Sequence, residues 1–227
     1  MSNPDSFIDE VNEELKRDRL FAMMRKYGWI VVVVVIGLVG FAAWNEWSKS
    51  QAEARAQALG DAIVDALEDP DAASRRATLQ SLAEQEAGTG RAAAERVALL
   101  NLLLAADGIE RGDASAALPA LQRVAEDDAL PPSYRQLALL KRTILGADTL
   151  PRDEREAALT GLAAPGQAFR PLALEQLALL QLEAGDRAGA RAQLERLLSE
   201  PDLSPDLRQR VTQLIVVLGG EVDSDLG

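Results

Sequence analysis

Glu183–Leu203, EAGDRAGARAQLERLLSEPDL, repeats the plan of Glu110–Leu130, ERGDASAALPALQRVAEDDAL, 73 residues earlier. Laid one over the other, Leu121 meets Leu194, Arg123 meets Arg196 and Leu130 meets Leu203. Beyond them Pro132 meets Pro205, Arg135 meets Arg208 and Gln136 meets Gln209. A unit of half that length lies between: Tyr134-Arg135-x-Leu137-Ala138-Leu139 returns 35 residues on as Phe169-Arg170-x-Leu172-Ala173-Leu174. A period of about 34–37 residues, with Gly-Asp joining two apolar-patterned segments, marks stacked helix pairs, because each pair buries its apolar face on the next.

The sequence around these stretches agrees. From Ser48 onward it is rich in Ala, Leu, Glu, Arg and Gln, and Tyr134 and Phe169 are its only aromatics. Val and Ile never alternate with polar residues, so no strand is expected. Asp69-Pro70-Asp71, Gly88-Thr89-Gly90, Gly112-Asp113, Pro131-Pro132, Leu150-Pro151, Pro165-Gly166, Gly185-Asp186 and Ser204-Pro205 divide it into helices of about 12–20 residues. Ser133 is the expected N-cap after the Pro pair.

The pattern resembles the tetratricopeptide repeat. Leu174, Leu177 and Ala178 on one helix and Ala190, Leu194 and Leu197 on the next match it best, with Pro201 one place early and Gln181 where an aromatic is usual. Leu104, Ala105, Ala117, Leu121 and Val124 match more loosely, and the unit between is degenerate. Three units are expected between Arg91 and Leu218, capped by helices over Ser48–Leu67 and Ala72–Glu86.

The second decisive stretch is Tyr27–Asn45, YGWIVVVVVIGLVGFAAWN, uncharged apart from the Tyr phenol. A helix of that length covers roughly 28 Å, close to the hydrocarbon thickness of a bilayer. Arg25 and Lys26 close it on one side, Glu46 and Lys49 on the other, and the protein's three tryptophans, Trp29, Trp44 and Trp47, mark its ends. Residues 7–26 hold five basic side chains and residues 48–67 hold two, so the positive-inside bias places the N-terminus in the cytoplasm. A cleaved signal peptide is the competing reading, with Gly40 and Ala42 before a cut. The long, patterned segment before the run and the paired tryptophans after it favour a retained anchor.

Composition narrows the chemistry. The 227 residues include no Cys and no His, which removes His-based acid–base catalysis, Ser/His triads and Cys/His metal sites. Net charge is −12, of which residues 48–227 carry −10, the opposite of a nucleic-acid-binding face. No cofactor, metal or catalytic residue is expected.

The order of parts is distinctive. Phe7-x-x-Glu10-Val11-x-Glu13-Glu14-Leu15, followed by Lys26-Tyr27-Gly28 and the apolar run, resembles the ancillary subunit family of the bacterial Sec translocon. That resemblance covers the whole chain. It implies an inner-membrane protein with a periplasmic tetratricopeptide-like domain, associated with translocon subunits and a membrane-anchored periplasmic chaperone, and no catalysis. The expected architecture is all-α. It comprises a cytoplasmic amphipathic segment (1–26), one transmembrane helix (27–47), a periplasmic α-solenoid of helix pairs (48–218) and an acidic flexible tail (219–227). The other reading of the same parts is a scaffold of a cell-envelope or division complex, binding one folded partner.

Three groups of residues are candidate sites. Val97–Ala106 and Leu172–Leu182 are apolar nearly all round, more than one buried stripe requires. On the repeat pattern Leu99, Leu102, Leu172, Leu179 and Leu182 fall toward a groove that could hold unfolded exported clients or a partner helix; the alternative is a helix buried on both sides. Phe7, Val11 and Leu15 share one face of a short helix, for docking on a cytoplasmic partner or for lying at the membrane interface. Arg135, Arg170 and Arg208 recur at one repeat position, either as a basic ladder for a carboxylate or, as favoured here, as partners of neighbouring acids. Asp127-Asp128 reads as turn chemistry, Asp223 and Asp225 as tail, and Lys141 as a base only if buried.

Overall fold

A computed structural model describes the backbone of residues 4–201 and 203–220. Side chains are described for Arg25, residues 29–30, 33–201 and 203–220. Phe7, Val11 and Leu15 lie outside the described side chains, and Asp223 and Asp225 outside the described residues. The described residues form helices and their connections, in two compact units.

The first unit, through Val64, is a single helix, α1 (Pro4–Glu68), whose last residues belong to the second unit. Every described residue from 33 to 58 is exposed, Phe41 at 71%. The rings of Trp44 and Trp47 lie 5.5 Å apart. Among the described residues no helix is long and apolar enough to cross a membrane. Within the apolar run, the side chains of residues 27, 28, 31 and 32 lie outside the described set.

The second unit starts at Asp65. It contains α2 (Ala72–Gln85), α3 (Arg91–Glu110), α4 (Ala114–Glu126), α5 (Pro132–Leu145), α6 (Arg152–Leu162), α7 (Arg170–Glu183), α8 (Arg187–Leu198) and α9 (Pro205–Val217). From α2 onward each helix packs on the next in chain order, as in a solenoid, and α3 also touches α5. The degenerate middle unit, α5–α6, makes the slightest of these sequential contacts.

Burial follows the repeat register. Ala117 and Ala190, Leu121 and Leu194, Val124 and Leu197, and Leu130 and Leu203 are buried pair by pair. So are Ala105 with Ala178 and Ala138 with Ala173, the small residues that let neighbouring helices approach. One core cluster joins Ala178, Leu194, Leu207, Val211 and Ile215 across α7, α8 and α9; another joins Leu140, Leu159, Leu162 and Leu180 across α5, α6 and α7. Each such leucine contributes about 1.5–3 kcal/mol relative to exposure. Gly108 marks a close approach of α3 to α4: a Cβ there would stand 3.1 Å from both the Ala117 Cβ and the Ala117 amide nitrogen.

The turns explain why the helices stop where they do. Gly112 and Gly185 end α3 and α7 with φ of 68° and 82°, the left-handed region in which a side chain is strained. The next residue caps the following helix: Asp113 Oδ1 accepts from the Ala116 amide, and Asp186 Oδ1 from the Gly189 amide. Ser133 does not cap α5, contrary to the sequence expectation. That helix starts at Pro132 with Pro131 as N-cap and no side-chain cap bond. Proline needs no cap for an N–H it lacks, and its fixed φ is already helical.

Candidate functional site

The residues proposed for a groove fall on α3 and α7, and the repeat offsets extend their positions to α5. By the 73- and 35-residue offsets, Leu172 on α7 corresponds to Leu99 on α3 and Leu137 on α5. Leu179 corresponds to Ala106 and Ile144, and Leu182 to Ile109 and Ala147. Within α3 these positions lie seven and three residues apart, on one face of the helix. That face is open on α3, where Leu99 is 47% and Ile109 39% exposed; on α5 Ile144 is 47% exposed and Leu137 half-buried. On α7 the face is half-covered, and Leu172 packs against both core clusters. Leu102 departs from the stripe. It is half-buried and occupies the repeat position of buried Leu140 and Glu175.

Ile109, Ile144 and Tyr134 are exposed apolar residues that lie outside the continuous apolar runs. Lys141, mid-helix, interrupts the run on α5. The repeat offset carries the signal for the two isoleucines: it maps Leu179 onto Ile144 and Leu182 onto Ile109.

Ion pairs tie the helices together beside this stripe. Arg155 is buried and holds Glu183 with bonds of 2.6 and 3.2 Å, joining α6 to α7. The Glu183 carboxyl is held below its usual range mainly by the hydrogen bond from Arg155, and the Arg155 guanidinium is raised in return. Glu175 on α7, 2% exposed, accepts from Arg210 on α9 at 2.5 and 2.7 Å. On α3, Asp107 takes Arg75 of α2 at 2.7 Å and Arg111 of the next turn.

Arg135, Arg170 and Arg208 do not form a ladder open to a ligand. Arg135 binds Asp128 at 2.7 Å; Arg170 binds Glu200 at 2.7 Å and also donates to the Ala163 carbonyl. Pairing with neighbouring acids therefore holds for these two. Arg208 differs, donating to the Leu198 carbonyl at 3.3 Å. Ala163 caps α6 and Leu198 ends α8, so Arg170 and Arg208 each satisfy the exposed carbonyl end of the preceding helix, where a cation is favoured.

The remaining candidates are placed simply. Lys141 is exposed. Asp127 Oδ1 accepts from the Ala129 amide, which is turn chemistry. Trp29, Trp44 and Trp47 are all exposed on α1. Among the described residues no cluster of acidic side chains could hold a metal ion.

A family model described as a tetratricopeptide repeat-like domain matches residues 24–214, most of the chain. No curated protein and no solved structure matches it.

Proposed function

The chain belongs to the tetratricopeptide repeat-like domain family, and from that premise we propose a non-catalytic, membrane-anchored interaction module that accompanies the Sec translocon. Repeat domains of this kind are protein-binding modules, and the carrying observation is the apolar stripe in repeat register on three helices, exposed at Leu99, Ile109 and Ile144 and half-covered at Leu172 and Leu179. A recurrent apolar face left partly open on a water-exposed domain fits a partner helix or an unfolded segment that covers it.

Two features support the anchor. α1 is unbroken through residues 27–47, and it carries Trp29, Ile30, Val33–Ile36, Leu38, Val39, Phe41, Trp44 and Trp47 exposed on its surface. Lipid would cover that surface, and a helix satisfies the backbone polar groups that lipid cannot. The family match, starting at residue 24, takes in the same run. Basic residues before the run put the N-terminus in the cytoplasm and the repeats in the periplasm of the bacterial inner membrane. The segment preceding the run supplies the link to the translocon and to a membrane-anchored periplasmic chaperone, through its resemblance to the ancillary subunits.

Purification of the tagged full chain in mild detergent, with identification of what accompanies it, tests the reading. Translocon subunits or a periplasmic chaperone are the expected companions. Recovery with one or two fixed envelope or division proteins, and neither of those, would replace it with the scaffold reading.

A further inference from the structure

The first and third repeat units, aligned by the 73-residue offset, differ at one place in their interiors. In the third unit Leu174 packs against both core clusters, and Arg170 binds Glu200 at 2.7 and 3.2 Å. Their counterparts in the first unit are Asn101, Val97 and Asp127. The leucine is gone, and so is the cation that faced the acid. A hollow of about 260 Å³ lies there instead, between α3 and the end of α4, with Arg123, Val124 and Leu130 completing its wall. Pockets for drug-sized ligands measure about 300–1,000 Å³, so the occupant is small.

Asn101 is 2% exposed, at the repeat position that holds Leu139 on α5 and Leu174 on α7. One amide N–H donates to the Val97 carbonyl, and the side-chain carbonyl accepts from Arg123, both at 2.9 Å. An asparagine amide carries two donors, so one remains for an occupant of the hollow. A buried polar group in an apolar position is costly unless its bonds are completed.

Two opposite charges stand apart at the same hollow. Arg123 and Asp127 are four residues apart at the end of α4, a spacing at which such residues ordinarily pair. They do not pair here: Arg123 reaches across to Asn101, and Asp127 accepts from the Ala129 amide. Glu126 beside them is held by Gln122. The carbonyl end of α4 adds partial negative charge next to Asp127, its C-cap.

We propose that this hollow binds a free α-amino acid with an apolar side chain. The carboxylate takes Arg123 and the spare Asn101 N–H. The ammonium takes Asp127, as the Arg170 guanidinium takes Glu200 in the third unit. The side chain rests on Val97, Val124 and Leu130, in the space that a leucine fills elsewhere. Only a small zwitterion supplies both charges from one α-carbon together with the missing apolar body.

Isothermal titration of the full chain in detergent with L-leucine tests it, against leucinamide and N-acetyl-leucine. Leucine is expected to bind saturably, and each capped form at least about tenfold more weakly, the loss expected for a charge-assisted bond. Asp127→Asn should cost a similar factor. Asn101→Leu and Val97→Arg each install the residue of the third unit, so both should fold normally by circular dichroism and abolish binding. Arg196→Gln, at the repeat counterpart of Arg123, should leave binding unchanged. No binding of leucine, equal affinity for leucine and either capped form, or unchanged binding in the folded Asn101→Leu variant would each overturn the assignment.

Discussion

Removing Arg210 should destabilise the repeat domain, whereas replacing its partner Glu175 should not. Glu175 is buried on α7; Arg210, 52% exposed by side chain, reaches it from α9 with two bonds. Arg210→Ala leaves a carboxylate buried without its cation. Losing one member of a fully buried pair costs about 3–5 kcal/mol. Because Arg210 is half-exposed, water enters where it stood, which reduces the cost to about 2 kcal/mol. For a domain of this size that lowers Tm by about 4–8 °C. Glu175→Leu behaves differently. The same repeat position holds Leu102 on α3 and buried Leu140 on α5, so the site accepts leucine, and the freed Arg210 head turns to solvent. Exchanging a buried charge for an apolar side chain is often neutral or stabilising. Thermal unfolding followed by circular dichroism should show a shift within about 2–4 °C of zero for Glu175→Leu, or an increase. Equal losses in the two variants would refute the register argument, as would a loss for Glu175→Leu of more than about 2 kcal/mol.

Further outcomes follow from the same geometry. The Asp113 carboxyl is pulled from 3.8 to about 2, chiefly by the Ser115 hydroxyl and then by Arg76. Its folded value lies below its unfolded one, so its stabilisation is complete above about pH 4 and disappears as the pH falls toward 2. Denaturation midpoints of the chain and of Asp113→Asn, which keeps the cap but not the charge, should therefore differ at neutral pH and converge over that interval. Asp186→Ala should cost about 1 kcal/mol by removing the cap of α8, while Ser133→Ala should cost a few tenths at most, in urea unfolding. Leu194→Ala, at a fully buried position, should cost about 2–5 kcal/mol by the same measurement.

Much of the fold is written in the sequence because its punctuation is chemical. Gly112-Asp113 and Gly185-Asp186 each supply a left-handed stop and a cap, and the helices break at those places. The offset between them predicts which leucines are buried, since Leu121 and Leu194 fill the same place in the first and third units. Ser133 was misleading because a good cap residue lost to a proline pair one position earlier. The open stripe was only half legible. Counting apolar runs finds Leu99 and Leu179, but Ile144 is separated from its neighbours by Lys141, and only the repeat register assigns it. Cross-helix pairs such as Arg155–Glu183 and Glu175–Arg210 link residues 28 and 35 positions apart, and no local pattern announces them.

The central claim is that the apolar stripe is the binding face. A photo-crosslinking amino acid placed at Leu99, Ile144 and Leu179, with controls at exposed Gln122 on α4 and Glu195 on α8, tests it inside the cell. Adducts to translocon subunits, a periplasmic chaperone or exported chains at the first three positions, and few at the controls, are the predicted result. No adducts at the stripe, or equal yields at all five positions, would contradict the account.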